Sequence, residues 1–232
     1  MANSKHAIPS ANELRKRHEA IYVEIFTLAL SVLAKIPCDT RHENIISERL
    51  CIPLNDVCFE LSKTRNYEIA TPIWESPIQP IDYSELKEGK PGKRPDFTCK
   101  RVNPFANSSF EHEFHFHVEC KRLGTPSSPT WRLNEQYVIN GIMRFDSVEH
   151  RYGELACSGL MVGYIIDMSA DDILTEVKMF LNENSVDRAK LEPQSTESHI
   201  QKYIQRLNRK FVKPLDFKLT HLWVDIHKLS EK

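Results

Sequence analysis

The chain has 232 residues, 41% of them apolar and 27% charged, and its 31 basic and 32 acidic side chains leave a net charge of −1. That composition supplies a sizeable buried core and excludes a disordered chain, while the near balance of charge excludes a protein that coats nucleic acid through bulk charge. No apolar run approaches the roughly 18 residues of a membrane span, and Met1 to Ser10 lack the apolar core of a signal peptide, so we expect a cytoplasmic protein with reduced thiols and no membrane partner. Cys38, Cys51, Cys58, Cys99, Cys120 and Cys157 form no CxxC pair and read as small apolar residues.

Ser10 and Glu13 stand in capping-box spacing before a stretch free of Gly and Pro as far as Pro37, which predicts a long first helix. Thr40 and Glu43 repeat the device ahead of Ile45, Ile46 and Leu50, predicting a second helix that Pro53 ends, and Asn55 then caps a short third through DVCFELSK. Tyr67 to Pro95 is rich in Pro and turn residues and predicts a strand, an irregular loop and a return. DFTCKRV reads as a strand and NPFANSS as a turn. FEHEFHFHVECKRL then alternates, with Phe110, Phe114, Phe116 and Val118 on one face and Glu111, Glu113, His115, His117, Glu119 and Lys121 on the other. The two strands are expected to pair antiparallel.

After the turn GTPSSPT, Leu133, Tyr137, Ile142 and Phe145 give WRLNEQYVINGIMRF helical spacing, with Gly141 marking a close approach and Tyr137 read as core. SGLMVGYIID predicts a buried central strand, Ser169 caps a helix through ADDILTEVKMFLNEN, and a final helix and the strand FKLTHLWVDIH close the chain. The expected organisation is one α/β domain over 1–232, with a core at about 40–167, an N-terminal helical extension over 10–37 and a C-terminal extension over 168–232. Two basic groups, Lys87, Lys90, Lys93, Arg94, Lys100, Arg101 and Lys202, Arg206, Arg209, Lys210, Lys213, read as solvated faces.

Residues i and i+2 of a strand point the same way, so Glu119 and Lys121 offer an acid and an amine to one spot, which Asp96 reaches if its strand pairs with theirs. Two converging carboxylates make the hard oxygen site that Mg²⁺ prefers, and a lysine beside it can orient or deprotonate water and offset charge on a phosphodiester. Pro95-Asp96 followed by Glu119-Cys120-Lys121 resembles the motif of the PD-(D/E)XK nuclease superfamily. The resemblance implies a restriction-endonuclease-like fold, with a helix, three strands, a helix and a strand building a central mixed sheet flanked by helices. It implies further that Asp96 and Glu119 bind Mg²⁺ or Mn²⁺, that Lys121 is the catalytic lysine, and that an acid on the preceding helix, Glu43 before Glu48, completes the site. Arg94 and Arg122 flank the motif, and Arg132, Gln136 and Arg144 lie on the helix after it; these five are the candidates for substrate binding. DNA is the implied substrate, with a restriction or phage-defence role, and a homodimer or a partner subunit would supply further DNA-binding surface.

Plainer readings accompany each residue. Glu43 also fits as the cap partner of Thr40, Glu119 and Lys121 as an exposed ion pair, and Asp96 as a turn residue. Two rivals address the whole chain: a catalytically silent member of the same fold that binds nucleic acid or protein, and a zinc module built on His112, His115 and His117. The latter departs from HExxH, because in HEFH the second histidine comes one position early.

Overall fold

A computed structural model describes residues 10–37, 42–65, 68–80, 93–154, 156–184, 186, 190–197 and 199–226. Helix α1 (Ala11–Leu33) begins with the expected capping box: Glu13 N–H donates to Ser10 Oγ at 3.3 Å, and Ser10 N–H donates back to Glu13 Oε2 at 2.7 Å. Its buried face carries Tyr22, Ile25, Phe26, Ala29, Leu30 and Leu33.

Helix α2 (Glu43–Arg65) does not stop at Pro53, and no separate helix starts at Asn55. Proline inside a helix removes one hydrogen bond and costs about 3 kcal/mol. The apolar stripe Ile46, Leu50, Leu54 and Cys58 nevertheless continues at four-residue spacing through that point and is buried with α1 in one core. Burial at roughly 1.5–3 kcal/mol per large side chain outweighs the local penalty, and Pro53 itself is buried in the stripe. Thr40, the other half of the expected second capping box, lies outside the described residues.

Seven strands form one mixed sheet: β1 (Ile73–Trp74), β2 (Phe97–Val102), β3 (Glu113–Leu123), β4 (Ser158–Ile165), β5 (Glu192–Glu197), β6 (Ile200–Asn208) and β7 (Asp216–Asp225), in the order β1-β2-β3-β4-β7-β6-β5. As expected, β2 and β3 are antiparallel and the apolar β4 is central; it runs parallel to both β3 and β7. One face of the sheet, with Phe97, Cys99, Phe116, Val118, Cys120, Val162 and Leu222, shares a core with α1 and α2. The other, with Leu123, Met161, Ile165, Leu219 and Trp223, shares a second core with α3 (Leu133–Ile139), a 3-10 helix (Ile142–Asp146) and α4 (Ala170–Glu183). Ser169 caps α4 as expected, its Oγ accepting from Asp172 N–H at 3.2 Å. Gly141 separates α3 from the 3-10 helix, and a Cβ there would lie 2.3 Å from Tyr137 O, so the close approach expected at this glycine is present.

The final helix is replaced by a strand. Ile200, Tyr203, Ile204 and Leu207 have helical spacing, but β6 pairs with β7 over nine residues and sends Ile200 to one core and Tyr203 and Leu207 to the other. Strands β5, β6 and β7 therefore continue the same sheet, through β7 against β4. Among the described residues, no helix is long and apolar enough to cross a membrane.

Candidate active site

The antiparallel register sets Phe97 against Val118, which places Asp96, one residue earlier, opposite Glu119. Asp96 Oδ2 accepts the Cys120 N–H at 2.6 Å, so the aspartate is pinned to the middle residue of Glu119-Cys120-Lys121. Lys121 Nζ lies 2.9 Å from Glu119 Oε1, 2.8 Å from Glu43 Oε1, 3.9 Å from Asp96 Oδ2 and 2.7 Å from the Cys120 carbonyl. Glu43, in the first turn of α2, also accepts the Arg122 N–H on Oε2 at 3.0 Å. Arg144, on the 3-10 helix, donates through Nη1 to Glu119 Oε1. Three acids and two bases from four segments thus meet at one point on the sheet.

This is not an exposed ion pair, since Glu119 is 0% and Lys121 8% exposed. Burial, and then the neighbouring Asp96, push the Glu119 carboxyl up to about 8 against the pull of Lys121 and Arg144. Burial also raises Asp96, opposed chiefly by Lys121. For Lys121, burial works toward the neutral amine, but Glu119, Asp96 and Glu43 outweigh it and hold the side chain as an ammonium. A buried cluster of this kind is poor value as a stabiliser, because desolvation of the ions offsets their attraction. Clusters of titratable groups so perturbed concentrate at functional sites.

The donor set suits a hard cation: Asp96 and Glu119 present carboxylate oxygens, and Glu119 Oε2 is buried with no hydrogen-bond partner among the described residues. The carboxylates close on the ammonium of Lys121, however, and among the described residues no group of three His, Cys, Asp or Glu side chains surrounds a common ion position. Both Glu43 oxygens are engaged, by Lys121 and by the Arg122 amide, which makes Glu43 the residue that holds the lysine.

The remaining candidates divide. Arg144 joins the cluster, and Arg122 does so through its backbone. Arg94 is exposed two residues before Asp96, and Glu48 is exposed on α2. Arg132 is committed elsewhere, with Nε and Nη2 each 3.0 Å from Glu135 and the guanidinium 4.9 Å above the Phe180 ring. Gln136 accepts a hydrogen bond from Asn140 Nδ2 and, among the described residues, makes no hydrogen bond with the carboxylate cluster. Tyr137 is core, as read, its hydroxyl 2.7 Å from His221 Nδ1 and 2.9 Å from Trp223 Nε1. The histidines do not gather around an ion: His115 Nε2 is 3.0 Å from Glu113, while His117 Nδ1 accepts the Gly153 N–H at 2.9 Å.

Two features escaped the sequence reading. Arg209, assigned to a basic solvated face, is 2% exposed and donates to the carbonyls of Phe145, Tyr152, Gly153 and Pro214 at 2.8–3.3 Å, pinning the turn before β4. Tyr152, in that turn, is buried beside the cluster, where burial first and the Glu119 charge second raise its phenol pKa. Nothing in the local sequence around either residue signals a partner so distant. Comparison of the chain with protein-family models, with curated proteins and with solved structures finds no match.

Proposed function

We propose that the chain is a metal-dependent nuclease, a phosphodiester hydrolase of the restriction-endonuclease-like fold acting on DNA. The observation that carries this reading is the convergence of Asp96, Glu119, Lys121 and Glu43 on one buried point, reached through an antiparallel β2–β3 pair, a parallel β4 and a helix before the sheet. Asp96 and Glu119 would hold Mg²⁺ or Mn²⁺, with Glu119 Oε2 the oxygen still without a partner. Such an ion, when bound, polarises a phosphoryl oxygen and acidifies water.

The chain's own groups divide the remaining work. Lys121, held as an ammonium, has no lone pair to take a proton from water. Its role is electrostatic: with its protons directed at Glu43, Glu119 and the Cys120 carbonyl, the ammonium places a fixed positive charge that offsets charge developing on the phosphate. Glu43 fixes where that ammonium points, and Asp96 ties the end of β2 to the Glu119-Cys120-Lys121 backbone.

A second reading, a silent member of the same fold that binds without cutting, is favoured by the ion pair between Arg144 and Glu119, which already supplies the carboxylate with a cation. One assay separates the two: cleavage of plasmid, linear duplex, single-stranded DNA and RNA in Mg²⁺, Mn²⁺ or EDTA, comparing wild type with Asp96→Asn. The amide variant keeps an oxygen to accept the Cys120 N–H and removes the charge. Metal-dependent cutting that the variant loses by at least roughly 100-fold supports the nuclease; folded protein that binds DNA and cuts nothing in any metal supports the silent form.

A further inference from the structure

On the same face of β3 as Glu119, a cleft of about 480 Å³ opens two residues upstream, at His117. A strand rises about 3.3 Å per residue, so His117 stands roughly 6.6 Å from Glu119 along β3. Lys100 and Glu113 wall the cleft on the sheet side, Arg151 and Glu154 on the side of the turn before β4, and Gln79 lies at its rim. Its volume is in the range that encloses a small organic group.

The informative side chain is His117, only 3% exposed. A backbone N–H can only donate, so the Gly153 amide at 2.9 Å requires an unprotonated Nδ1 and leaves the ring proton on Nε2. The described residues offer that Nε2–H no partner, and the ring lines the cleft. The buried polar atoms that lack a partner lie elsewhere, so this N–H is open to the cleft, where it can donate to an acceptor from outside the chain. The donor is also held in place: Arg209 grips the carbonyls of Tyr152 and Gly153 at 3.1 and 3.3 Å, and the Tyr152 ring meets His117 edge-on at 5.8 Å.

The charges on the wall define the occupant. Lys100 lies 3.2 Å from Glu113 and Arg151 2.6 Å from Glu154, so two cations are matched by two carboxylates. A phosphate entering there would face both acids with no surplus of positive charge. A neutral planar group whose edge carries acceptors and donors fits instead, accepting a hydrogen bond from His117 Nε2–H and donating hydrogen bonds to Glu113 or Glu154.

We propose that this cleft receives one unstacked nucleobase of the substrate strand, from a nucleotide adjoining the one whose phosphate lies at Glu119 and Lys121. The inference rests on the nuclease reading and sharpens its substrate class to nucleic acid with an unpaired nucleotide beside the cut, such as single strands and flaps. Drawing a base out of a stack is unfavourable by a few kcal/mol, least so when the base is already unpaired.

The test is an abasic scan. Short labelled single strands carrying one abasic nucleotide at successive positions are bound to the wild-type protein in Ca²⁺ and separately cut in Mn²⁺. One position, next to the cleavage point, is expected to weaken binding roughly tenfold or more, as loss of a stacked, hydrogen-bonded base does. That discrimination should shrink in His117→Ala and in Gln79→Ala, the second being an exposed rim change that leaves the core intact. Normal cutting with no position-specific abasic effect overturns the base site and leaves the nuclease standing. Free deoxynucleosides competing for the cleft while the abasic scan stays flat overturn the strand assignment too. Absence of cutting on every nucleic acid, with no binding in Ca²⁺, overturns the nuclease and the base site together.

Discussion

Lys121 Nζ has three protons, and the structure provides an acceptor for each: Glu43, Glu119 and the Cys120 carbonyl. Nothing is spare, so removing the ammonium strips three carboxylates of their shared cation. In EDTA, Lys121→Met should lower stability by roughly 3–5 kcal/mol, the penalty of an uncompensated buried charge, and Mn²⁺ should recover part of it; melting with and without metal checks both. Cleavage by the same variant should fall about 10²–10³-fold. Glu43→Gln isolates the positioning role. If Glu43 holds the lysine, cutting falls roughly 10–100-fold while Mn²⁺ binding, followed by calorimetry, changes little. A matching collapse in Mn²⁺ affinity would make Glu43 a ligand instead.

At the scale of elements, the turn before β4 is the piece that joins the cluster to the rest of the molecule. It carries Tyr152 toward Glu119 and Gly153 toward His117, and it is fixed by Arg209, just after β6, two strands beyond β4. Gly153 has φ +69°, and a Cβ there would lie 2.4 Å from Phe217 Cζ. Gly153→Ala should therefore destabilise by roughly 2–5 kcal/mol, from left-handed backbone strain and overpacking, as read by urea denaturation. Arg209→Met, which takes the guanidinium away from four carbonyls and leaves Gly153 O with the Ala156 N–H alone, should loosen the same turn, seen as faster amide exchange at Gly153.

For the whole molecule, acid sensitivity should come from histidines buried as neutral rings. His221 sits between Tyr137 and Gln205, and burial pushes its pKa down to about 3; His18 donates Nε2–H to the Cys99 carbonyl at 3.3 Å, and burial pushes its pKa down to about 4. In the unfolded chain both return to about 6.5, so between those values the unfolded state binds more protons. Their contribution is complete above about pH 6.5 and is lost as the pH falls toward 4, by roughly 1.4 kcal/mol per pH unit for each. Denaturant midpoints measured from pH 7.5 to 4.5 should fall by this contribution less the opposing one of Glu119, whose carboxyl, raised to about 8 in the fold, takes up a proton in the same window and favours the folded state as the pH drops. His221→Gln should flatten the slope, and an unchanged slope would show that this ring is not buried neutral.

The alternation of β3 was legible because its period of two is written in adjacent residues, and it puts Glu119 and Lys121 on one face whatever the rest of the chain does. The capping box at Ser10, the cap at Ser169, the apolar β4 and the break at Gly141 were legible for the same reason: each is a local preference acting over a few residues. Strand β6 and the passage of α2 through Pro53 were not, since β6 is decided by pairing with β7 and α2 by the core it shares with α1, both overriding local propensity. The sequence by itself determined which side chains could share a face. Only the tertiary structure decided that Asp96, Glu43 and Arg144 reach that face, that Arg132 and Gln136 do not, and that Glu119 and Lys121 are buried. Register, helix continuation and burial are set by contacts between residues far apart in the chain, where their energy is gained.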